Sequence, residues 1–92
     1  MSCLKQANLI IPDQVVTRQV GDETVLLNLK SGTYFGLDPV GSRFLELLAA
    51  EGALTAVIAR MLEEFEVSEA QLEADLLRLA EEMLASGLLE PA

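Results

Sequence analysis

The side chains that most often carry catalysis are scarce in this 92-residue sequence. It has no histidine and a single cysteine, Cys3, so neither a Ser/His/Asp nor a Cys/His arrangement can be assembled. The same scarcity removes the thiolate and imidazole ligands that zinc requires. The acidic pairs Glu63 and Glu64, and Glu81 and Glu82, are neighbours on helical patterns, so the members of each pair point apart. We therefore expect no enzyme activity, no metal and no cofactor.

Cys3 has two interpretations that the sequence leaves open. It is either a reactive thiol or an ordinary residue of an N-terminal tail. A single cysteine cannot form an internal disulfide, which agrees with a reducing compartment. No apolar run approaches the ~20 residues of a membrane span, and the "LII" before Pro12 is too short for a signal-peptide core. We expect a cytoplasmic protein without membrane contact.

Net charge limits the classes of partner. The chain has 15 acidic and 6 basic residues, and its formal charge is -9. A protein that binds a nucleic-acid backbone needs Lys and Arg to displace counterions, so we expect no nucleic-acid partner. The acidity favours solubility and is compatible with a basic partner.

Three strands are predicted in the first half of the chain, and they are the first elements that could position a site. After an irregular lead-in over residues 1–13, a single domain covers residues 14–90. Its strands are Gln14–Val20, Thr24–Lys30 and Thr33–Leu37, joined by turns at "GDE" and "SG". Such a meander needs a second layer to be stable. Alternation places Val25, Leu27 and Leu29 on one face of strand two, with Leu27 and Leu29 expected in the core. On strand three, Thr33, Phe35 and Leu37 share one face, and Tyr34 and Gly36 share the other.

Three predicted helices supply the second layer. Asp38 is suited to cap helix one, which runs over Pro39–Ala50. Thr55 caps or opens helix two, Thr55–Phe65, and a Ser68/Gln71 capping box opens helix three, Glu69–Ser86. The apolar stripe of helix one is Val40, Phe44, Leu47 and Leu48. This order predicts an α+β fold, a three-stranded antiparallel sheet followed by three helices, in a winged-helix-like arrangement.

Helix three has a wider apolar surface than a single contact requires. One row contains Leu72, Leu76, Leu79 and Met83, and the neighbouring row contains Leu77, Ala80 and Leu84. Either both rows belong to the core, or one of them lines an exposed groove, which is normally a partner site. Asp75, Arg78 and Glu82 follow the same helix, as a solvated face or as the charged margin of that groove.

The third predicted strand is an edge of a sequentially paired sheet and has unpaired backbone groups. "TYFGL" carries no charge, proline or other protective device. Gly36 either permits a bend or lets another backbone approach closely. Tyr34 is either an ordinary half-buried aromatic residue or a ligand contact. The edge is therefore a candidate for addition of a peptide strand.

Two segments resemble PqqD-like proteins. "LLNLKSGTYFGLDPVGSRFLELL" has the family's Leu-Asn pair, glycine turn, Y-F-x-L strand and P-V-G helix start. "LEEFEVSEAQLEADLLRLAEEMLASGLLE" has its acidic-aromatic turn, Asp-aliphatic pair and terminal "GLL". Together the two blocks cover most of residues 15–90. The family often has Asn at the position of Asp38 and Trp near Phe44 or Leu45, differences that affect capping and packing.

The resemblance implies a binding function without catalysis. PqqD-like domains are winged-helix-like recognition elements that bind the leader of a ribosomally made precursor peptide. The leader adds beside the third strand and lies against the third helix. The short "Y-F-G-L-D-P-V-G" form looks most like the stand-alone leader-binding proteins of lasso-peptide biosynthesis, which deliver the precursor to a leader peptidase and then a cyclase. Relatives serve radical-SAM or pyrroloquinoline quinone pathways, and these stay as alternatives.

The resemblance also assigns the candidate peptide-binding residues. They are Thr33, Tyr34, Phe35, Gly36, Leu37, Leu72, Asp75, Leu76, Arg78, Leu79, Glu82 and Met83. We expect a monomer. Two rivals are a DNA-binding winged helix, disfavoured by five acidic residues against one basic residue in Glu69–Glu82, and a dimerisation module that pairs its own third-strand edges.

Overall fold

The order of elements confirms the predicted α+β class. The computed structural model describes residues 6–92, so Cys3 lies outside the described residues. The strands are β1 (Leu9–Ile10), β2 (Val15–Val20), β3 (Glu23–Asn28), β4 (Thr33–Leu37) and β5 (Glu90–Pro91). The helices are α1 (Pro39–Glu51), α2 (Leu54–Glu64) and α3 (Glu69–Ala85). Strands β2, β3 and β4 form one antiparallel sheet in that order; α1 packs on this sheet, and α2 and α3 pack against α1.

The phase of β3 differs from the prediction. Leu26 is fully buried, whereas Leu29 is 61% exposed and Leu27 is half-buried on the opposite face. The sequence has leucines at both 26 and 27, so hydrophobic alternation alone does not select the inner face. Asn28 decides it. Its Nδ2 donates to the carbonyl of Gly87 at 3.0 Å and its Oδ1 accepts from the backbone of Lys30 at 2.9 Å, so a polar residue is satisfied inside.

The first helix begins where the sequence predicted. The Asp38 carboxylate accepts a hydrogen bond from the Gly41 N–H at 2.8 Å, and Pro39 occupies the first turn. Phe44, Leu47 and Leu48 are buried as expected. Val40, assigned to the same stripe, is 39% exposed. It belongs to the first turn of α1.

The start of α2 differs slightly from the prediction. The helix begins at Leu54 after Ala53, which makes no side-chain capping bond, so Thr55 is not the cap. The Leu54 N–H donates instead to the carbonyl of Ala7 at 3.1 Å. By contrast, the Ser68 hydroxyl accepts from the Gln71 N–H at 3.2 Å, which confirms one half of the capping box at α3.

The lead-in predicted as irregular contains a short strand. Leu9–Ile10 pairs with Glu90–Pro91 in a second, two-stranded sheet. The Leu9 N–H donates to the carbonyl of Gly52 at 2.9 Å, and the Leu9 side chain is 1% exposed in the core. A two-residue strand is too short to show alternation in the sequence. It forms here because tertiary packing holds it in place.

Candidate functional site

A groove opens between the edge of the main sheet and helix α3. It encloses about 600 Å³. One wall is the end of β4 together with the first turn of α1, and the other wall is the middle of α3. The lining residues are Phe35, Gly36, Leu37, Asp38, Val40, Gly41, Asp75, Leu76, Arg78 and Leu79.

The pairing register shows which backbone groups of β4 face this groove. The two-residue turn at Gly21 and Asp22 makes Val20 and Glu23 a hydrogen-bonded pair. Alternation along β3 then directs its odd-numbered residues to β2, and the Leu29 N–H indeed donates to the carbonyl of Gln14 at 2.8 Å. The even-numbered residues of β3 bond β4.

The same alternation leaves two residues of β4 with outward backbone groups. Leu26 pairs with Phe35 and Thr24 with Leu37, so Phe35 and Leu37 direct their N–H and C=O groups into the sheet. Tyr34 and Gly36 direct theirs to the free edge. Within residues 6–92 no other strand pairs with that edge. A Cβ built on Gly36 meets no atom within 4 Å, so its surroundings are open.

The floor of the groove is apolar. Phe35 and Leu79 are half-buried and line it from opposite walls, and Leu76, on the α3 wall, has 3% of its surface exposed. Val40 adds an apolar side chain from α1. This floor can take the side chains of an extended peptide, because their burial replaces contact of both surfaces with water.

Gly41 lets the first turn of α1 approach β4 closely. A Cβ at this position would lie 3.1 Å from the Leu37 Cδ2 atom and 3.2 Å from the Asp38 Oδ1 atom. Asp38, Val40 and Gly41 line the groove, and sequence reasoning missed them as site residues. The available signal was that helix one follows β4 without a loop.

The rim of the groove carries a charged pair. Arg78 Nη2 lies 3.6 Å from Asp75 Oδ1, and Gln71 Nε2 donates to the same oxygen at 3.0 Å. The side chains are 68% and 49% exposed for Arg78 and Asp75. An exposed pair of this kind contributes little to stability. Its place beside an apolar floor makes it suitable for orienting a bound chain.

The predicted site residues divide into two groups. The groove brings together Phe35, Gly36, Leu37, Asp75, Leu76, Arg78 and Leu79. It does not include Thr33, at the start of β4, or Tyr34, whose side chain is on the outer face of the sheet and 71% exposed. Leu72 and Met83 lie in the core with 5% and 0% exposed, and Glu82 is exposed outside the groove.

The opposite edge of the sheet offers a poorer site. A cavity of about 170 Å³ separates β2 from α1, and its lining includes the polar side chains of Thr17, Gln19 and Glu46. A neighbouring cavity of about 260 Å³ lies between β1 and the end of α1. Both are smaller than the groove beside β4, so that groove is the better place for a peptide strand.

The best-connected ion pair lies away from the groove. Arg43 Nε and Nη2 donate to the two carboxylate oxygens of Glu64 at 2.8 and 2.6 Å, and Arg43 also contacts Glu46. These bonds raise the pKa of Arg43 and lower the pKa of Glu64. The pair joins α1 to α2, so its role is structural.

Metal chemistry and membrane insertion have no support in the described part of the chain. Across residues 6–92 no three His, Cys, Asp or Glu side chains are grouped as metal ligands. In the same range no helix combines the length and the apolar character needed to cross a bilayer.

Comparison with known proteins is consistent with this geometry. The family model for coenzyme PQQ synthesis protein D (PqqD) matches residues 23–89. A solved structure, "TbiB1 in Complex with the TbiA(beta) Leader Peptide", is 39% identical, covers 87% of this chain and 93% of its own, and has a TM-score of 0.82. A second, "Lasso peptide synthetase B1 complexed with the leader peptide", is 22% identical and covers 92% and 100% with a TM-score of 0.82, which supports the fold. No curated protein sequence gives a match.

Proposed function

Since this chain belongs to the PqqD family, we propose that it binds the leader segment of a ribosomally synthesised precursor peptide as an added strand on β4. The observation that carries the proposal is the free edge at Tyr34 and Gly36 beside an apolar groove. The similar TbiB1 structure contains a leader peptide, which supports a ligand of the same class here.

Two kinds of contact would define the bound leader. Main-chain bonds to the N–H and C=O groups of Tyr34 and Gly36 set its register. Because side chains of a strand alternate, every second leader residue then enters the groove over Phe35 and Leu79. Asp75 and Arg78 at the rim contact polar groups of the leader. The leader is disordered before binding, so part of the interaction free energy goes into ordering it.

The bound precursor is then delivered to other enzymes. In the lasso-peptide pathway these are a leader peptidase and a cyclase, and the domain supplies recognition without chemistry of its own. Holding the precursor beside the peptidase raises the effective substrate concentration. The lasso-peptide pathway is favoured by the resemblance of the "Y-F-G-L-D-P-V-G" segment to stand-alone leader-binding proteins. The alternative is the same role in a radical-SAM or pyrroloquinoline quinone pathway.

A binding assay tests the proposal directly. Fluorescence anisotropy of the labelled leader from the associated precursor is expected to show saturable binding, and a scrambled leader of the same composition is expected not to bind. Binding is expected to vary weakly with salt, because the contacts are mainly main-chain and apolar. Equal binding of the scrambled peptide, or a steep salt dependence, would contradict recognition by strand addition.

A further inference from the structure

Asn28 links the sheet side of the groove to the end of α3. It is the last residue of β3, pairs with Thr33 at the start of β4, and is 5% exposed. Its Nδ2 donates to the carbonyl of Gly87, which directly follows the C-cap of α3. This bond joins the Leu-Asn pair of the first PqqD-like segment to the "GLL" of the second. Asn28 itself does not line the groove.

The other half of the Asn28 amide fixes the turn that leads into β4. Its Oδ1 accepts from the Lys30 N–H at 2.9 Å and from the Ser31 N–H at 3.3 Å. The Asn28 carbonyl also accepts from the Gly32 N–H at 2.7 Å. An amide accepts with one atom and donates with the other, which a carboxylate cannot do. One side chain therefore orients the start of β4 and holds the end of α3.

The end of α3 has a defined geometry, so this restraint extends along the helix. The Leu88 N–H donates to the Met83 carbonyl at 2.8 Å and the Gly87 N–H to the Leu84 carbonyl at 3.2 Å, the pattern of a Schellman cap. Gly87 has the positive φ, 73°, that this cap requires, so its own carbonyl has a fixed direction. Leu79 of the groove wall lies about 12 Å back along the same helix, at 1.5 Å per residue.

The position of α3 relative to β4 depends on few other direct contacts. Helix α3 packs mainly against α1 and α2 rather than against the sheet. The bond from Asn28 to Gly87 links sheet and helix directly, and burial makes such a bond stronger than an exposed one. An added strand needs a defined space, because neighbouring strands lie about 4.8 Å apart. A shift of α3 would therefore change how the side chains of the leader fit the groove.

We propose that Asn28 is a positioning residue of the leader site, which sets the distance of α3 from the β4 edge without contacting the leader. The proposal rests on the function proposed above. A groove that already has the right width avoids the free-energy cost of ordering its walls on binding. Loss of the bond lets α3 take several positions, and the apparent affinity falls with the fraction of molecules in the binding-competent one.

The test separates the two halves of the amide. Asn28→Asp keeps an acceptor for the Lys30 and Ser31 N–H groups, but its carboxylate cannot donate to the Gly87 carbonyl. Gly87→Ala perturbs the same bond from the α3 side, because its Cβ would lie 2.9 Å from Asn28 Nδ2. Val57→Ala is the matched control, since it removes volume from a fully buried position of α2 outside the groove.

Three quantities are measured for each variant. Anisotropy gives the leader affinity, and urea denaturation gives the free energy of unfolding. Double electron–electron resonance gives the distance between spin labels at Tyr34→Cys and Glu82→Cys in a Cys3→Ser background. Both labelled side chains are exposed and lie outside the groove, on β4 and α3. A purely structural role of Asn28 would lower the stability without changing this distance.

We expect Asn28→Asp and Gly87→Ala to weaken leader binding by about tenfold or more and to broaden the distance distribution, which saturating leader narrows again. Val57→Ala should lose comparable stability while its leader affinity stays within about twofold of wild type.

Wild-type leader affinity or an unchanged distance distribution in folded Asn28→Asp would overturn the positioning role, as would an equal loss of affinity in Val57→Ala. If Asn28→Asp does not fold, the same outcomes in Gly87→Ala decide. Failure of the wild-type domain to bind leader would overturn the proposed function instead.

Discussion

Replacement of Gly36 by proline removes one backbone donor from the proposed leader site. The register directs the Gly36 N–H to the free edge of β4, so the substitution breaks no bond to β3. Proline is tolerated at such edge positions. The ring also occupies the space that an incoming carbonyl oxygen needs. The change therefore acts on the guest strand more than on the fold.

The expected loss of affinity follows from the lost bond. Removing the donor leaves the leader carbonyl unsatisfied, which costs about 1–3 kcal/mol. This cost predicts a loss of about 5- to 150-fold in leader affinity, at 1.4 kcal/mol for each factor of ten. Anisotropy titration with the labelled leader measures it, and circular dichroism confirms the fold.

Two controls separate the backbone effect from the side-chain effect. Gly36→Ala keeps the N–H and adds a methyl group into open space, so its affinity should stay close to wild type. Thr17→Pro removes the equivalent outward N–H from the free edge of β2, which is not the proposed site. Wild-type affinity of a folded Gly36→Pro variant, or an equal loss in Thr17→Pro, would refute the assignment of the leader to β4.

Three further predictions test the apolar floor of the groove, the turn at Gly87 after α3 and the ion pair between Arg43 and Glu64. Leu79→Asp should weaken leader binding by about tenfold or more, because it places a charge on the apolar floor of the groove. Leu77→Asp changes another half-buried residue of α3 and should not weaken binding. Equal losses of affinity in a leader titration would contradict the assignment of Leu79 to the groove. Gly87→Ala should lower the free energy of unfolding, measured by urea denaturation, by about 1–3 kcal/mol. The φ angle of Gly87 is 73°, and a Cβ there would lie 2.9 Å from Asn28 Nδ2. Glu64→Gln should flatten the loss of stability as the pH falls through the titration of Glu64, because the bond to Arg43 that lowers the pKa of Glu64 stabilises the fold while the carboxylate is ionised and is lost on protonation. An unchanged pH profile would contradict that role.

Local chemistry made the helix starts predictable from the sequence. Asp38 followed by Pro39, and Ser68 three residues before Gln71, place a side-chain acceptor where a helix has free N–H groups. Local signals of this type depend on few residues. The cap of α2 did not follow them, because a carbonyl from the N-terminal segment bonds its first turn.

Contacts between residues that are far apart in the chain could not be predicted from the sequence. The inner face of β3 depends on the bond from Asn28 to Gly87, which are 59 residues apart. The β1–β5 sheet likewise joins the two ends of the described chain. No periodicity reports such contacts, so the phase of β3 and the strand at Leu9–Ile10 were not predicted correctly.

The candidate site was predictable in outline. The unprotected "TYFGL" edge and the wide apolar surface of α3 indicated two walls of a groove, and the structure places these walls together. The rotation of α3 was not available from sequence, because apolar residues occupy both rows. It turns Leu79 to the groove and Met83 into the core. Val40 also lines the groove, from the first turn of α1.

Amide hydrogen exchange of the domain with and without leader tests the central claim most directly. The measurement follows four amides by NMR: those of Tyr34 and Gly36 on the free edge of β4, and those of Thr17 and Gln19 on the free edge of β2. Strand addition at β4 predicts that saturating leader slows exchange at Tyr34 and Gly36 and leaves Thr17 and Gln19 unchanged. Unprotected Tyr34 and Gly36 amides in the leader-saturated domain would contradict the account.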